Sequence, residues 1–146
     1  NNRDGESTNL LDLLSCRTKI VAISHASNVL GQVRDIKSIC NIVRKMTDGR
    51  AHVVIDGVAA APHIFAAVAD NRADWYIISS HKLFGPHLGV MCGHKHAIDA
   101  LCREQSISSS DEAIYKIFEG GTVNIESCAG IIGLGQYFQK VARLVL

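Results

Sequence analysis

A lysine, Lys82, stands directly after an apolar run, in the stretch at residues 79–86 (SSHKLFGP). The preceding residues, 75–78 (WYII), have the composition of a buried strand. A lysine just past the end of such a strand, in a turn rich in serine, histidine, glycine and proline, is poorly explained by packing alone. Its place is typical of an amine that must be held, partly desolvated, against a carbonyl carbon. We therefore predict that Lys82 forms a Schiff base.

A second residue that could take part in catalysis, Asp56, ends another apolar run at residues 52–55 (HVVI). A carboxylate can keep the nitrogen of a pyridine ring protonated, so that the ring accepts electrons from a bound substrate. Pyridoxal 5'-phosphate (PLP) is the aldehyde that enzymes most often hold on a lysine. The lysine and the aspartate together predict PLP as the cofactor.

The elements that would position these residues follow from the pattern of apolar runs. Strands are predicted at residues 18–24, 51–55, 74–79 and 89–92, and helices at 33–46, 63–69, 96–103 and 125–146. A short helix or turn is expected at 9–15 and a polar loop at 105–111. Apolar strands that alternate with helices are typical of an α/β fold, with a mostly parallel sheet and helices on both faces.

The last predicted helix contains the glycines Gly130 and Gly133. Each costs about 1 kcal/mol relative to alanine in an exposed helix interior, so we expect close packing against another element. With Gly135 they form a glycine-rich pattern, but it follows no strand and is not a dinucleotide-binding motif.

Composition limits the function classes. The 146 residues are 47% hydrophobic, enough for one domain with a core, and the net charge is +1. There is no basic block, so nucleic acid or an anionic membrane is not implied as a partner, and no apolar stretch is long enough to span a bilayer. Five scattered cysteines without CxxC spacing predict buried structural thiols in a reducing, intracellular compartment. His94 and His96 could suggest a metal site, but no third metal ligand accompanies them in the sequence. We therefore predict that they are surface residues and that they bind no metal.

Polar residues follow three successive strands, and in a parallel sheet they would lie together at one edge. Ligands of an open parallel sheet bind at this edge, beyond the carboxyl ends of the strands. Taken singly, each residue has an ordinary explanation, such as a surface lysine, a turn-forming aspartate or a hydrogen-bonded turn histidine. Their joint occurrence among small residues favours a binding site. The candidates are His25 and Asn28 after the first strand, Asp56 at the end of the second, and Ser79, His81 and Lys82 after the third.

Four stretches resemble the class V aminotransferase superfamily of fold-type I PLP enzymes, and within it the cysteine desulfurase and selenocysteine lyase branch. They occur in family order and with family-like separations. The stretches are residues 18–31 (TKIVAISHASNVLG), 53–60 (VVIDGVAA), 73–90 (ADWYIISSHKLFGPHLGV) and 119–135 (EGGTVNIESCAGIIGLG).

The resemblance implies a role for each matching residue. Lys82 would hold the cofactor and shuttle the α-proton of the substrate. Asp56 would pair with the pyridinium nitrogen, Asn28 would bind the phenolic oxygen, and His25 would contribute to the cofactor site. The resemblance also implies a homodimer that acts on an amino-acid substrate. The phosphate ligands would be Ser79, His81 and, across the dimer interface, Thr122.

Two positions depart from the family pattern. Ala59 stands where a glutamine is usual, and Val123 where a proline is usual. The expected function is that of a cysteine desulfurase or selenocysteine lyase. A class V transaminase of the serine–pyruvate or alanine–glyoxylate kind, or a non-catalytic fragment or scaffold, is the alternative. We interpret residues 1–146 as one incomplete PLP-binding large domain without its amino-terminal part and carboxyl-terminal small domain, and expect this piece alone to be inactive.

Overall fold

The sheet has four strands in the order in which they occur in the chain. The structure, a computed structural model, describes residues 9–64, 72–105 and 117–145. The strands are β1 (Ile20–Ser24), β2 (His52–Asp56), β3 (Trp75–Ser79) and β4 (Gly89–Gly93). β2 pairs in parallel with both β1 and β3, and β4 runs antiparallel to β3. The predicted mostly parallel sheet is therefore confirmed, with β4 as the exception.

The described helices are α1 (Leu10–Leu13), α2 (Ile36–Met46), α3 (Lys95–Glu104) and α4 (Ile125–Val145). Each agrees with a predicted helix to within three residues at its ends, apart from the helix expected at 63–69. Residues 63 and 64 of that prediction lie in a turn, and 65–69 fall outside the described residues. Nearly all of the predicted loop at 105–111 also falls outside them.

Helix α2 begins three residues later than its apolar pattern suggests. The carboxylate of Asp35 accepts a hydrogen bond from the Ser38 amide at 3.0 Å and caps the helix at this point. Val33, which was predicted to start the helix, instead forms an isolated antiparallel bridge with Ala26. A local cap therefore decides where this helix begins, and residues 25–34 form a loop above the end of β1.

The two faces of the sheet differ because side chains alternate along each strand. The face that we call the core face carries Val21, Val53, Ile55 and Tyr76, which pack with the buried side of α2. The opposite face, here called the cavity face, carries Asp56 and Trp75, since Asp56 pairs with Ile77 and Trp75 lies two residues earlier.

Helix α3 packs on the cavity face. A Cβ placed on Gly93 would lie 2.9 Å from Ile98 of α3 and would also contact the Trp75 ring. Helices on both faces are thus confirmed, although Ile20 and Met91 on the cavity face are 64% and 46% exposed.

Helix α4 approaches the rest of the fold at Gly130. A Cβ at this position would lie 3.1 Å from Cγ of Pro86, so the predicted close packing is right for Gly130. It is wrong for Gly133, which has open space within 4 Å. Among the described helices, none combines the length and apolarity needed to cross a membrane.

Candidate active site

A cavity of about 830 Å³ lies beyond the carboxyl ends of the parallel strands. Ser24 and Asp56 are register partners at these ends of β1 and β2, and both line the cavity. Of the predicted site residues, Asn28, Asp56 and Lys82 line it together. The fold therefore brings one amide, one carboxylate and one amine, from three separate segments, to the same space.

Lys82 lies in a turn that follows β3 without a connecting loop. Residues Ser80–Leu83 form a single 3-10 turn, and Phe84 ends it in the left-handed conformation at φ 67°. The Gly85 amide donates to the Ser80 carbonyl at 2.8 Å and closes the turn. Because this short turn is closed by a hydrogen bond and follows β3 directly, the position of the Lys82 backbone is fixed relative to the end of the strand.

Ser80 ties the same turn to the segment that precedes β4. Its hydroxyl is within hydrogen-bond distance of the carbonyl oxygens of Pro86 and Leu88, the latter at 3.0 Å. The Ser80 amide also donates to the Leu88 carbonyl at 2.9 Å. Ser80 is only 3% exposed. Nothing in the sequence distinguished this residue beyond its small size, two positions before the lysine.

Asp56 is held by backbone contacts that leave part of its carboxylate available. Oδ1 accepts a hydrogen bond from the Val58 amide at 2.9 Å, and the Asp56 carbonyl accepts one from the His25 amide at 2.8 Å. Within the described residues, Oδ2 has no hydrogen-bond partner. The carboxylate is thus oriented at the strand end and retains one oxygen for a ligand.

Asn28 lies in the loop between β1 and α2. The Ser27 hydroxyl accepts hydrogen bonds from the amides of Val29 and Leu30 at 3.3 and 3.0 Å, which shapes a turn around Asn28. Gly31 takes a positive φ of 67°, a conformation that glycine adopts without strain. The loop is therefore organised by its own hydrogen bonds, and it presents Asn28 to the cavity.

His25, one of the predicted cofactor ligands, does not line the cavity. Its Nδ1 lies 2.7 Å from the Tyr76 hydroxyl, and both side chains are buried. Ser24 shares the cavity face with Asp56, so the side chain of the next residue belongs on the core face. Burial lowers the pKa of His25 below its usual value. The partner, Tyr76, carried no signal in the sequence beyond its place in an apolar run.

Ser79, His81 and Thr122 also do not line this cavity. The exposed ring of His81 stacks on His87 with centroids 3.9 Å apart. Ser79 ends β3 beside Gly89, and Thr122 is exposed in the segment before α4. Their predicted phosphate contacts therefore stay predictions. In contrast, His63 does line the cavity, although the sequence marked it only as the start of a predicted helix.

The cysteines are reduced, but the prediction that all five are buried is wrong. Cys40 and Cys102 are buried, whereas Cys92 of β4, Cys128 of α4 and Cys16 in the turn before β1 are exposed. None of the five lines the cavity. A reducing compartment stays a prediction.

His94 and His96 are exposed surface residues, as predicted, but their side chains have partners. His96 Nε2 pairs with the buried Asp74 carboxylate at 2.5 Å, and the two imidazole Nδ1 atoms lie 2.8 Å apart. In the described parts of the chain, no group of three or more potential metal ligands occurs.

Comparison with known proteins agrees with the fold. The family model for aminotransferase class-V matches residues 1–144. An aminotransferase-like protein of Gibberella zeae is 33% identical over 138 residues, which cover 94% of this chain and 34% of that protein. A cysteine desulfurase of Synechococcus elongatus is 33% identical over 140 residues, covering 88% of this chain and 22% of that protein.

A solved structure shows a similar fold. The crystal structure of the cysteine desulfurase CsdA of Escherichia coli superposes with a TM-score of 0.65 at 28% identity, and covers 90% of this chain and 34% of that chain. The chain thus spans between about a fifth and a third of the length of these relatives. With a family match over nearly its whole length, this chain belongs to the aminotransferase class-V family.

Proposed function

We propose that this chain supplies the cofactor-binding part of a PLP-dependent enzyme that acts on amino acids, with cysteine desulfuration as the first candidate reaction. The convergence of Asn28, Asp56 and Lys82 on one cavity carries the proposal. The names of the relatives support the reaction class, since a cysteine desulfurase matches most of this chain. The family match covers the segments that carry these three residues, and the activity of the whole protein is part of the proposal.

The residues around the cavity fit PLP by their chemistry. Lys82 offers an amine, Asp56 offers Oδ2, and Asn28 offers an amide donor. A volume of about 830 Å³ suits a small-molecule site, for which roughly 300–1,000 Å³ is usual. The small side chains of Ala26 and Ala59 leave room for a flat ring.

When bound, PLP supplies an electron sink for the α-carbon of an amino acid. The chain's own residues would provide the rest. Asp56 would accept the hydrogen bond of the ring N–H and keep that proton in place, and Asn28 would donate to the phenolic oxygen. Lys82 Nζ would hold the cofactor and carry a proton to and from the α-carbon. Ser79, His81 and Thr122 remain the proposed phosphate ligands.

The first experiment is to add PLP to the chain, reduce with borohydride and map the modified peptides by mass spectrometry. We expect the pyridoxyl group on Lys82, and its loss in Lys82→Ala. Lys95→Ala is the matched control, because Lys95 is an exposed lysine paired with Asp99. Labelling spread evenly over surface lysines, or a folded chain with Lys82 unmodified, would contradict the proposal.

Transamination of the serine–pyruvate or alanine–glyoxylate kind is the second candidate. The observation that favours it is that no cysteine of this chain lines the cavity, and a transaminase needs no thiol to accept sulfur. Formation of a keto acid that depends on a second keto-acid substrate would indicate transamination. Formation of alanine from cysteine, with sulfide released when a reducing thiol is added, would indicate desulfuration.

The proposed enzyme is a homodimer. Val29, Leu30 and Phe84 near the cavity are 83%, 75% and 87% exposed, and such apolar surface is typical of interfaces between chains. Sedimentation velocity should show self-association that weakens in Phe84→Ser. A strictly monomeric chain over a wide concentration range would refute this part of the proposal.

A further inference from the structure

A buried pair, His25 and Tyr76, lies on the core face directly behind the cavity. The distance from His25 Nδ1 to the Tyr76 hydroxyl is 2.7 Å, and the rings are perpendicular with centroids 5.9 Å apart. Their exposed fractions are 8% and 1%. Neither side chain lines the cavity, so the pair has no direct access to a ligand there.

The pair supports the backbone on which Asp56 stands. A Cβ placed on Gly57 would lie inside the phenol end of the Tyr76 ring, so the peptide after Asp56 rests on this ring. The His25 amide donates to the Asp56 carbonyl, and the Gly57 amide donates to the Ile77 carbonyl, both at 2.8 Å. The Asp56–Gly57 peptide is therefore held by both neighbouring strands and from the core face.

We propose that His25 and Tyr76 are positioning residues, which set the orientation of the Asp56 carboxylate from the opposite face of the sheet. The role of Asp56 toward the ring nitrogen rests on the proposed function, but the positioning itself does not. The His25–Tyr76 hydrogen bond fixes the position of the phenol ring relative to the sheet. The ring in turn fixes the backbone conformation of residues 56 and 57.

The electrostatic environment is consistent with this arrangement. Burial lowers the pKa of His25, which favours the neutral imidazole that can accept from or donate to the phenol. Burial raises the pKa of Tyr76, and the Asp56 carboxylate raises it further. The phenol thus stays protonated, and it lies close enough to Asp56 for the two groups to interact.

The carboxyl ¹³C signal of Asp56 provides the direct test, with the signal assigned by its loss in Asp56→Asn. Tyr76→Phe removes one hydroxyl and keeps the ring, and Tyr137→Phe makes the same change on an exposed tyrosine of α4. We expect the chemical shift of Asp56 to change in Tyr76→Phe and to stay the same in Tyr137→Phe. An unchanged Asp56 signal in Tyr76→Phe would overturn the proposal.

A second pair of variants keeps the test decisive if Tyr76→Phe folds poorly. His25→Asn retains a polar atom close to the place of Nδ1, whereas His25→Leu leaves the buried phenol without a partner. We expect His25→Asn to retain a nearly wild-type Asp56 signal and His25→Leu to alter that signal. A purely structural role would change the free energy of unfolding in both variants and leave the Asp56 signal of the folded molecules unchanged.

PLP affinity separates this proposal from the proposed function. Loss of one hydrogen bond behind Asp56 should weaken PLP binding by roughly two- to tenfold in Tyr76→Phe, measured well below its Tm. If the wild-type chain does not take PLP on Lys82, the proposed function fails while the Asp56 signal still decides the positioning role. If PLP binds with equal affinity to the wild type, Tyr76→Phe and His25→Leu, the positioning role fails and the proposed function stands.

Discussion

The Ser80 hydroxyl lies 3.0 Å from the Leu88 carbonyl oxygen and links the two ends of the turn that carries Lys82. The link is buried, and the Ser80 amide bonds to the same carbonyl. The position of the lysine backbone therefore depends on a serine that has no chemical role of its own.

Ser80→Ala should lower the free energy of unfolding by about 1 kcal/mol, since one buried hydrogen bond is lost while the backbone bonds remain. It should also lower the yield of pyridoxyl-Lys82 after borohydride reduction. Ser79→Ala is the control for stability, because the structure gives the Ser79 side chain no hydrogen bond, and it should cost less than about 0.5 kcal/mol. Urea denaturation measures the free energy of unfolding of both variants, and an equal loss of stability in the two would contradict the prediction.

Asp74 holds the amino ends of two strands together. Its buried carboxylate accepts from the Val53 amide at 2.6 Å and pairs with Arg44 at 3.2 Å and with His96 at 2.5 Å. Asp74→Ala should destabilise the fold by about 2–4 kcal/mol, because the buried Val53 amide loses its acceptor and the partly buried Arg44 loses its counter-ion. Asp99→Ala breaks only the exposed Lys95 pair and should cost less than about 1 kcal/mol. Similar Tm values for the two variants would refute this role.

The lowered pKa of His25 predicts a pH dependence of stability. The unfolded chain binds a proton near the ordinary histidine pKa of 6.5, whereas the folded chain binds it only at lower pH. The free energy of unfolding should therefore fall as the pH drops below about 6.5, and this loss should level off below the folded-state pKa. His25→Asn should remove this component. An identical pH profile for the variant and the wild type would show that His25 does not titrate in this way.

The cysteines should differ in reactivity toward iodoacetamide. Cys16, Cys92 and Cys128 are exposed and should be alkylated rapidly in the native chain. Cys40 and Cys102 are buried, and burial also raises the pKa of Cys40, so both should react only after unfolding. Mass spectrometry of tryptic peptides after a short exposure measures this. Rapid alkylation of Cys40 in the folded chain would contradict the packing of α2 on the core face.

The ends of the strands and the place of the site could be predicted from local pattern. The apolar runs before Asp56 and Lys82 show where two strands end, and the carboxyl ends of parallel strands lie at one edge of a sheet. Asn28, Asp56 and Lys82 could therefore be assigned to one site from the sequence, and the structure places all three on one cavity.

Other features depend on contacts between distant residues. His25 follows the same strand as Asn28, but the alternation of side chains turns it to the core face, where it meets Tyr76. No local pattern distinguishes an inward from an outward histidine at the end of a strand. In the same way, Ser80 acquires its role only because the chain returns at Leu88.

The sequence alone thus determined the strand ends, the family and the edge of the sheet where the candidate residues gather, because each leaves a mark in residue type and spacing. Only the tertiary structure decided which side chains face the cavity and which support it from behind. It also decided that three cysteines are exposed and that Gly130, but not Gly133, is packed against Pro86. The physical reason is that burial and orientation depend on which distant segment fills the space beside a residue, and the residue's own neighbours in the chain do not specify that segment.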